Sequence, residues 1–280
     1  MSSFTLTWRA ADGTETPLDG STGILVTRGP VGFDLPTPTL TIDNFVSADG
    51  AAFISQRRGP RLLAFPMFLR ATRVQSLVAQ LFTMFARPGT LIWSDSTNTR
   101  ELRGVVYEGG LGGDLSVPAS PSWRRIGPAQ MLALDPWWYG AEESQTLSIA
   151  APTAFNAAVA FSAAIPFNGG ASASVAVTGD VDAYPVITVY GPADEVTVGC
   201  GGLEWQTDVV LSSGDVMTID ARPGSRGPRL NGGGVDWSLL TESSRLWPLP
   251  ADTTSVVVGT VGSTGATAVS MTWEPRYATP

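Results

Sequence analysis

The sequence predicts a mainly β protein of two domains, with one helix in the first. Three observations carry this. Short alternating or apolar runs recur between turn signals, Gly and Pro supply 31 and 21 of the 280 residues, and only one segment places apolar residues at helical spacing. The length suits two domains of roughly 100–200 residues each, and a hydrophobic content of 43% is enough for ordinary cores.

In chain order, the strand-like runs of the first half are Phe4–Trp8, Thr39–Asp43, Leu62–Leu69, Thr90–Trp93, Glu101–Tyr107 and Met131–Leu134. Pro66 lies inside the third of these and demotes it to an edge or irregular strand, because proline cannot donate to a ladder. The helix is expected over Arg73–Ala86, where Val74, Leu77, Val78, Leu81 and Phe85 form one apolar stripe. Thr72 is placed to cap it and Pro88-Gly89 to stop it. The second half offers Ser174–Val177, Val186–Tyr190, Glu195–Val198, Asp208–Leu211, Asp215–Ala221, Ser255–Val258 and Ala268–Trp273. Between the halves, an Ala-, Ser-, Gly- and Pro-rich stretch reads as a linker with some strand character, and an Ala-rich helix over 153–164 is an alternative there. The expected division is 1–141, linker 142–172, and 173–280.

Charge supports a boundary near 140. Residues 1–140 hold 12 arginines against 11 acids, a net of +1, whereas 141–280 hold 5 arginines against 14 acids, a net of −9. The formal net charge of −8 disfavours general nucleic-acid binding, which needs a basic surface. Every one of the 17 basic residues is arginine, and histidine is absent. Imidazole bases, Schiff-base or P-loop lysines, and His/Cys metal cages are therefore excluded, and the single Cys200 has no partner for a disulfide. No cofactor or metal site is expected. The amino terminus shows no signal peptide, and the most apolar window, Ala151–Phe167, is too short to span a membrane. A soluble chain made in the cytoplasm is the expectation.

Few constellations carry chemistry. Gly109–Asp114 lacks the register and the following helix of a phosphate loop and reads as a flexible connection. The carboxylate pairs Glu142-Glu143, Asp180/Asp182 and Asp194-Glu195 could serve a glycosidase, but their loop context favours solvated charge. Two segments point to contacts rather than catalysis. Arg57, Arg58 and Arg61 are three guanidinium forks on a loop before a strand, suited to carboxylates of a neighbouring protein. Trp137 and Trp138, after the turn at Asp135-Pro136, are expected to anchor the domain junction or a subunit interface.

The ordered set of these pieces resembles a known family. Arg58-Gly59-Pro60-Arg61 leads into a strand, the helix ends in Pro88-Gly89, and an arginine-bearing strand, a Gly-rich loop and Asp135-Pro136-Trp137-Trp138 follow. This resembles the N-terminal domain of distal tail proteins (minor tail proteins) of long-tailed, non-contractile bacteriophages. In the second half, Tyr184–Pro192 is similar to the family's YPxIxxxGP strand and Gly214–Asp220 to its GDxxxID strand. Asn231-Gly232, Leu246–Pro250 and Ser255–Val258 are similar to its closing hairpin, corner and penultimate strand. The likeness runs over about residues 25–275 and leaves the first 24 unplaced.

The resemblance implies a ring-forming N-terminal belt domain, β-sandwich-like with one α-helix, followed by a galectin-like or carbohydrate-module-like C-terminal β-sandwich. It implies a homohexameric ring that joins the tail tube protein above to the tail-tip hub protein, or baseplate, below and serves host attachment. The place would be the distal end of the virion tail, with DNA passing through the ring, no specific nucleic-acid binding and no membrane insertion. The role would be structural, not enzymatic. Two alternatives stay open: a carbohydrate-binding module that reads host-surface glycan through Trp205, Trp237 or Trp247, and a carboxylate-based glycosidase.

Overall fold

Alternation of apolar and polar residues shapes both halves of the computed structural model, which describes residues 4–27, 29–45, 49–72, 74–112, 122–149, 169–264 and 266–280. They divide into two units, Met1–Gly140 with Tyr277–Pro280, and Ala141–Arg276.

The first unit is built from β1 (Thr5–Arg9), β2 (Glu15–Pro17), β3 (Ile24–Val26), β4 (Pro38–Asn44), β5 (Ala51–Arg58), β6 (Arg61–Arg70), α1 (Val74–Phe85), β7 (Gly89–Ser94), β8 (Thr99–Gly109), β9 (Trp123–Ala133) and β10 (Trp138–Tyr139). The main sheet runs in the order β2-β1-β7-β8-β9-β6-β3, with β10 added on β8. Its ends meet. The Gly20 amide donates to the Ile24 carbonyl at 2.9 Å and the Val26 amide to the Leu18 carbonyl at 2.9 Å, so β3 pairs with the chain that leaves β2. This contact joins the two ends of the strand path.

Inside it, Trp8, Ile24, Leu63, Phe65, Met67, Leu91, Leu102, Met131 and Trp138 form one core, which α1 covers with Leu77, Leu81 and Phe85. Trp8 meets Phe85 edge-on at 4.9 Å. Gly89 permits this: a Cβ there would lie 2.3 Å from the Trp8 ring. Pro66 sits in the middle of the sheet rather than at an edge, because β6 pairs with both β3 and β9. The ladder accommodates it with a register shift between Phe65 and Met67, where the missing N–H is not needed. The Pro66 carbonyl instead accepts from the Thr27 amide at 2.8 Å.

β4 and β5 pair only with each other. Arg57 and Arg58, expected on a loop, end β5 instead.

The second unit contains β11 (Glu143–Ser148), β12 (Gly169–Val177), β13 (Val186–Tyr190), β14 (Glu195–Cys200), β15 (Leu203–Thr207), β16 (Val216–Asp220), β17 (Gly227–Leu230), β18 (Asp252–Val261) and β19 (Ala268–Trp273). Two antiparallel sheets, β11-β19-β13-β16-β17 and β12-β18-β14-β15, share a core that includes Val189, Val198, Trp205, Met217, Trp247 and Met271. β11 falls in the stretch read as linker, and pairing along β19 makes it part of the sheet. Asp208–Leu211 is not a strand apart from a bridge between Ala193 and Leu211; the partner of β14 is β15. The possible helix over 153–164 lies outside the described residues.

At the end of β16, Asp220 is buried and accepts from the Arg222 Nε at 3.0 Å, Nη2 at 2.8 Å and amide at 2.9 Å, and from Ser225 Oγ at 2.9 Å. Burial pushes its pKa up, but the Arg222 and Ser225 hydrogen bonds outweigh burial and hold it below the ordinary 3.8. A depressed carboxylate stabilises the fold above its unfolded pKa and loses that contribution as pH falls through the folded one. Asp220→Asn should therefore cost about 1–3 kcal/mol near neutral pH. In urea unfolding followed across pH, its deficit against the wild type should shrink below about pH 4.

Candidate functional site

The fold separates the three arginines of the 57–61 segment. Arg61 opens β6, where it is only 3% exposed. Its Nε donates to the Pro136 carbonyl at 2.8 Å, Nη1 to the Gly32 and Asp34 carbonyls at 2.9 and 2.7 Å, and Nη2 to the Ala278 carbonyl at 2.7 Å. Desolvation pulls its pKa down to about 10, with the Asp34 charge opposing, so the group remains a cation at neutral pH. Its expected contact with a neighbouring protein is thus corrected: the chain's own carbonyls take the guanidinium fork. Arg58 is half-buried and donates to the Pro36 carbonyl at 2.7 Å. Arg57 is exposed and has no ion-pair or hydrogen-bond partner among the described residues.

The tail is held by a second arginine. Arg100 Nη1 donates to the Thr279 carbonyl at 2.6 Å, and its guanidinium carbon lies 3.6 Å from the Tyr277 ring centroid.

Trp137 and Trp138 also part company: Trp138 opens β10, whereas Trp137 precedes the strand. Trp138 is fully buried in the first unit's own core, stacked on Phe33 at 5.7 Å. That corrects its expected role as a junction anchor: the inward side of β10 already supplies its cover. Trp137 is half-buried, and its amide donates to Asp135 Oδ1 at 3.2 Å.

The feature that sequence reasoning missed is the ribbon of β4 and β5. It has no substantial contact with any other strand or helix, and none of its described side chains is buried. Yet Leu40, Ile42 and Phe53 are 53%, 51% and 65% exposed, and Ile42 and Phe53 are cross-strand partners. A register shift at Thr41/Ile42 adds Ile54 as a further exposed apolar residue. Alternation in Thr39–Asp43 made one strand legible, but nothing in its pattern marks that both faces meet water.

The groups offered for other chemistries have structural roles. Glu143 accepts from Thr178 Oγ1 at 2.7 Å and Trp273 Nε1 at 3.0 Å, Glu195 from Gln206 Nε2, and Asp182 from the Ala251 amide at 3.2 Å. Cys200 is buried and shares a hydrogen bond with Thr254 Oγ1 at 3.3 Å. Among the described residues no group of three or more Asp, Glu or Cys side chains converges as a metal site, and no helix is long and apolar enough to cross a membrane. Of the three tryptophans considered for glycan, Trp205 and Trp247 are buried in the sandwich core and only Trp237 is exposed.

A barrel that carries one helix and a free ribbon, followed by a two-sheet sandwich, has a counterpart among solved structures. The Dit protein (gp 19.1) of SPP1, described as a paradigm of hub adsorption apparatus in phages that infect Gram-positive bacteria, superposes with a TM-score of 0.70 at 13% identity. The match covers 98% of this chain and 99% of that one. The fold is that of a phage Dit protein. A chain of the phage P2 baseplate in its calcium-activated conformation also matches, with a TM-score of 0.50 at 6% identity over 98% of both chains. No protein-family model and no curated protein matches the sequence. The Dit fold thus extends through both units, including the ribbon's unit and the sandwich.

Arg61 gives this arrangement a direct test. Arg61→Met strands four carbonyls at a closed end and should cost about 3 kcal/mol in urea unfolding. Arg61→Lys should recover little of it, because an ammonium cannot reach the same fork of acceptors.

Proposed function

We propose that the chain is a structural component of a phage tail tip: a Dit-like ring of six copies that joins the tail tube to the hub below it, at the distal end of the virion. The observation that carries this reading is the free ribbon. A folded unit that exposes Leu40, Ile42 and Phe53 on a strand pair with no further strand partner among the described residues is built to be covered by another surface. Head-to-tail repetition of one such contact closes into a ring. The Dit fold supports the same assignment, as does the sequence's resemblance to distal tail proteins. A non-enzymatic role agrees with candidate carboxylates engaged in hydrogen bonds to their own unit. Arg57, exposed on the ribbon, remains the candidate for pairing with a neighbour's carboxylate. The tube, the hub and the copy number are part of this reading and are open to the same experiment.

Native mass spectrometry of the purified chain should show a closed hexamer. Ile42→Asp combined with Phe53→Asp should shift it to monomer without lowering its melting temperature, since neither side chain is buried in its own chain. A wild type that stays monomeric at high concentration would refute the reading.

A second reading has one specific observation. Trp237 is 54% exposed on a short 3-10 turn that Asp236 caps, accepting from the Ser238 amide at 3.0 Å and Oγ at 2.7 Å. A firmly held, open indole beside hydroxyl and carboxylate groups could stack on a sugar ring. Glycan-array binding that Trp237→Ala abolishes would establish it, and an empty array would dismiss it.

A further inference from the structure

The chain's last residues carry contacts out of proportion to their number. Tyr277–Pro280 follow the second unit in sequence, yet belong to the first. There the Ala278 carbonyl accepts from Arg61 Nη2 at 2.7 Å and the Thr279 carbonyl from Arg100 Nη1 at 2.6 Å. The Tyr277 ring packs against the first unit's core and lies under the Arg100 guanidinium. Gly140 makes room for it, since a Cβ there would lie 3.0 Å from the ring. Both arginine ties end on backbone carbonyls, so they depend on the path of the tail rather than on the side chains at 278 and 279.

The tie to Arg61 reaches furthest. The same guanidinium holds the Gly32 and Asp34 carbonyls, which lead into the ribbon, and the Pro136 carbonyl, which leads into Trp138. At 3% exposure it has almost no water to turn to. Without Ala278, Nη2 keeps a buried cationic N–H with no acceptor, and that cost is relieved only if the site opens to water or the guanidinium shifts. Either course loosens the carbonyls of Gly32 and Asp34, and with them the root of the ribbon. Loss of Tyr277 uncovers part of the same core.

We infer that the tail is a strap, and that the ribbon-bearing unit reaches its assembling state only when Tyr277–Thr279 are seated. The ribbon's strands are complete by Arg58, but a carbonyl at residue 278 helps to fix their root. A chain that has the whole ribbon and no tail is thereby kept out of the ring. The inference rests on the ring reading above and adds the condition under which a copy joins.

Substitutions in the full chain test it. Arg100→Leu removes the bond to Thr279 and the cation over Tyr277, and leaves Arg61 and the ribbon's own residues in place. Tyr277→Ser removes the ring. The readout is hydrogen exchange at the Val31 amide, which donates to the Ala64 carbonyl at 3.0 Å beside Gly32. Each variant should speed that exchange by about fivefold or more, with exchange in β13 and β16 of the second unit unchanged. Each should weaken ring assembly, followed by native mass spectrometry, by a similar factor in concentration. Thr279→Ala with Pro280→Ala should change neither, because the carbonyls remain. If exchange rises in the tail alone and assembly is unchanged, the tail is a tether and the inference fails while the ring reading stands. If Val31 is freed and rings still form as before, seating does not govern assembly and the inference fails. If assembly weakens with Val31 still protected, the tail touches the neighbour directly and the strap is overturned. A wild type that never assembles removes the ring reading, and this inference with it.

Discussion

A full positive charge at the end of the first barrel constrains much of what surrounds it. A guanidinium taken out of water is tolerable only when its N–H groups find acceptors, and Arg61 finds them in Gly32, Asp34, Pro136 and Ala278. Those carbonyls come from three stretches far apart in sequence. One leads into the ribbon, one leads into Trp138, and one is the chain's tail. Their positions are therefore tied to a single side chain whose geometry is planar and whose charge persists at neutral pH.

The ribbon is the main beneficiary. It has no packing of its own against the barrel, so its direction depends on its two roots. On one side Asp34 and Gly32 are tied to Arg61, and the Pro36 carbonyl is tied to Arg58 at the end of β5. On the other side β5 passes through Gly59-Pro60 directly to Arg61 itself. The two strands are thus tied at their shared root by two arginines. The same tie reaches Ala278, so residues that follow the whole second unit complete the first. A stretch ending at Gly140 lacks that acceptor, and it also lacks the Tyr277 ring that lies under Arg100.

What the sequence revealed follows the line between buried and exposed strands only in part, since the exposed β4 was legible and β15, with Trp205 and Thr207 buried, was not. β1, β7, β8, β13 and β19 were legible because one face of each is buried, which imposes alternation on the residues. The helix was legible from its stripe for the same reason. β5 was not, because none of its residues is buried and no alternation is selected. Pro66 points to an edge or irregular strand, and the structure takes the second course: proline forbids a regular ladder position, and a bulge supplies an irregular one at the centre of the sheet. Three arginines in five residues look equivalent in sequence, yet Arg57 lies on the exposed ribbon strand β5 and Arg61, past Gly59-Pro60, opens the core strand β6 and is buried. Trp137 and Trp138 are likewise equivalent as letters and opposite as positions.

An exposed apolar ribbon is a hazard as well as a tool, since a strand pair with two wet faces has no internal reason to prefer one partner or one register. Hydrophobic burial supplies attraction but no direction. Direction has to come from charge, and the ribbon's own charges are segregated: Asp43 and Asp49 toward its far end, Arg57 and Arg58 at its root. A covering surface whose charges suit one direction of the ribbon opposes the reverse, because like charges in a contact that excludes water are costly. A ring requires that discrimination, because a contact made in two orientations gives branched or open assemblies rather than a closed one.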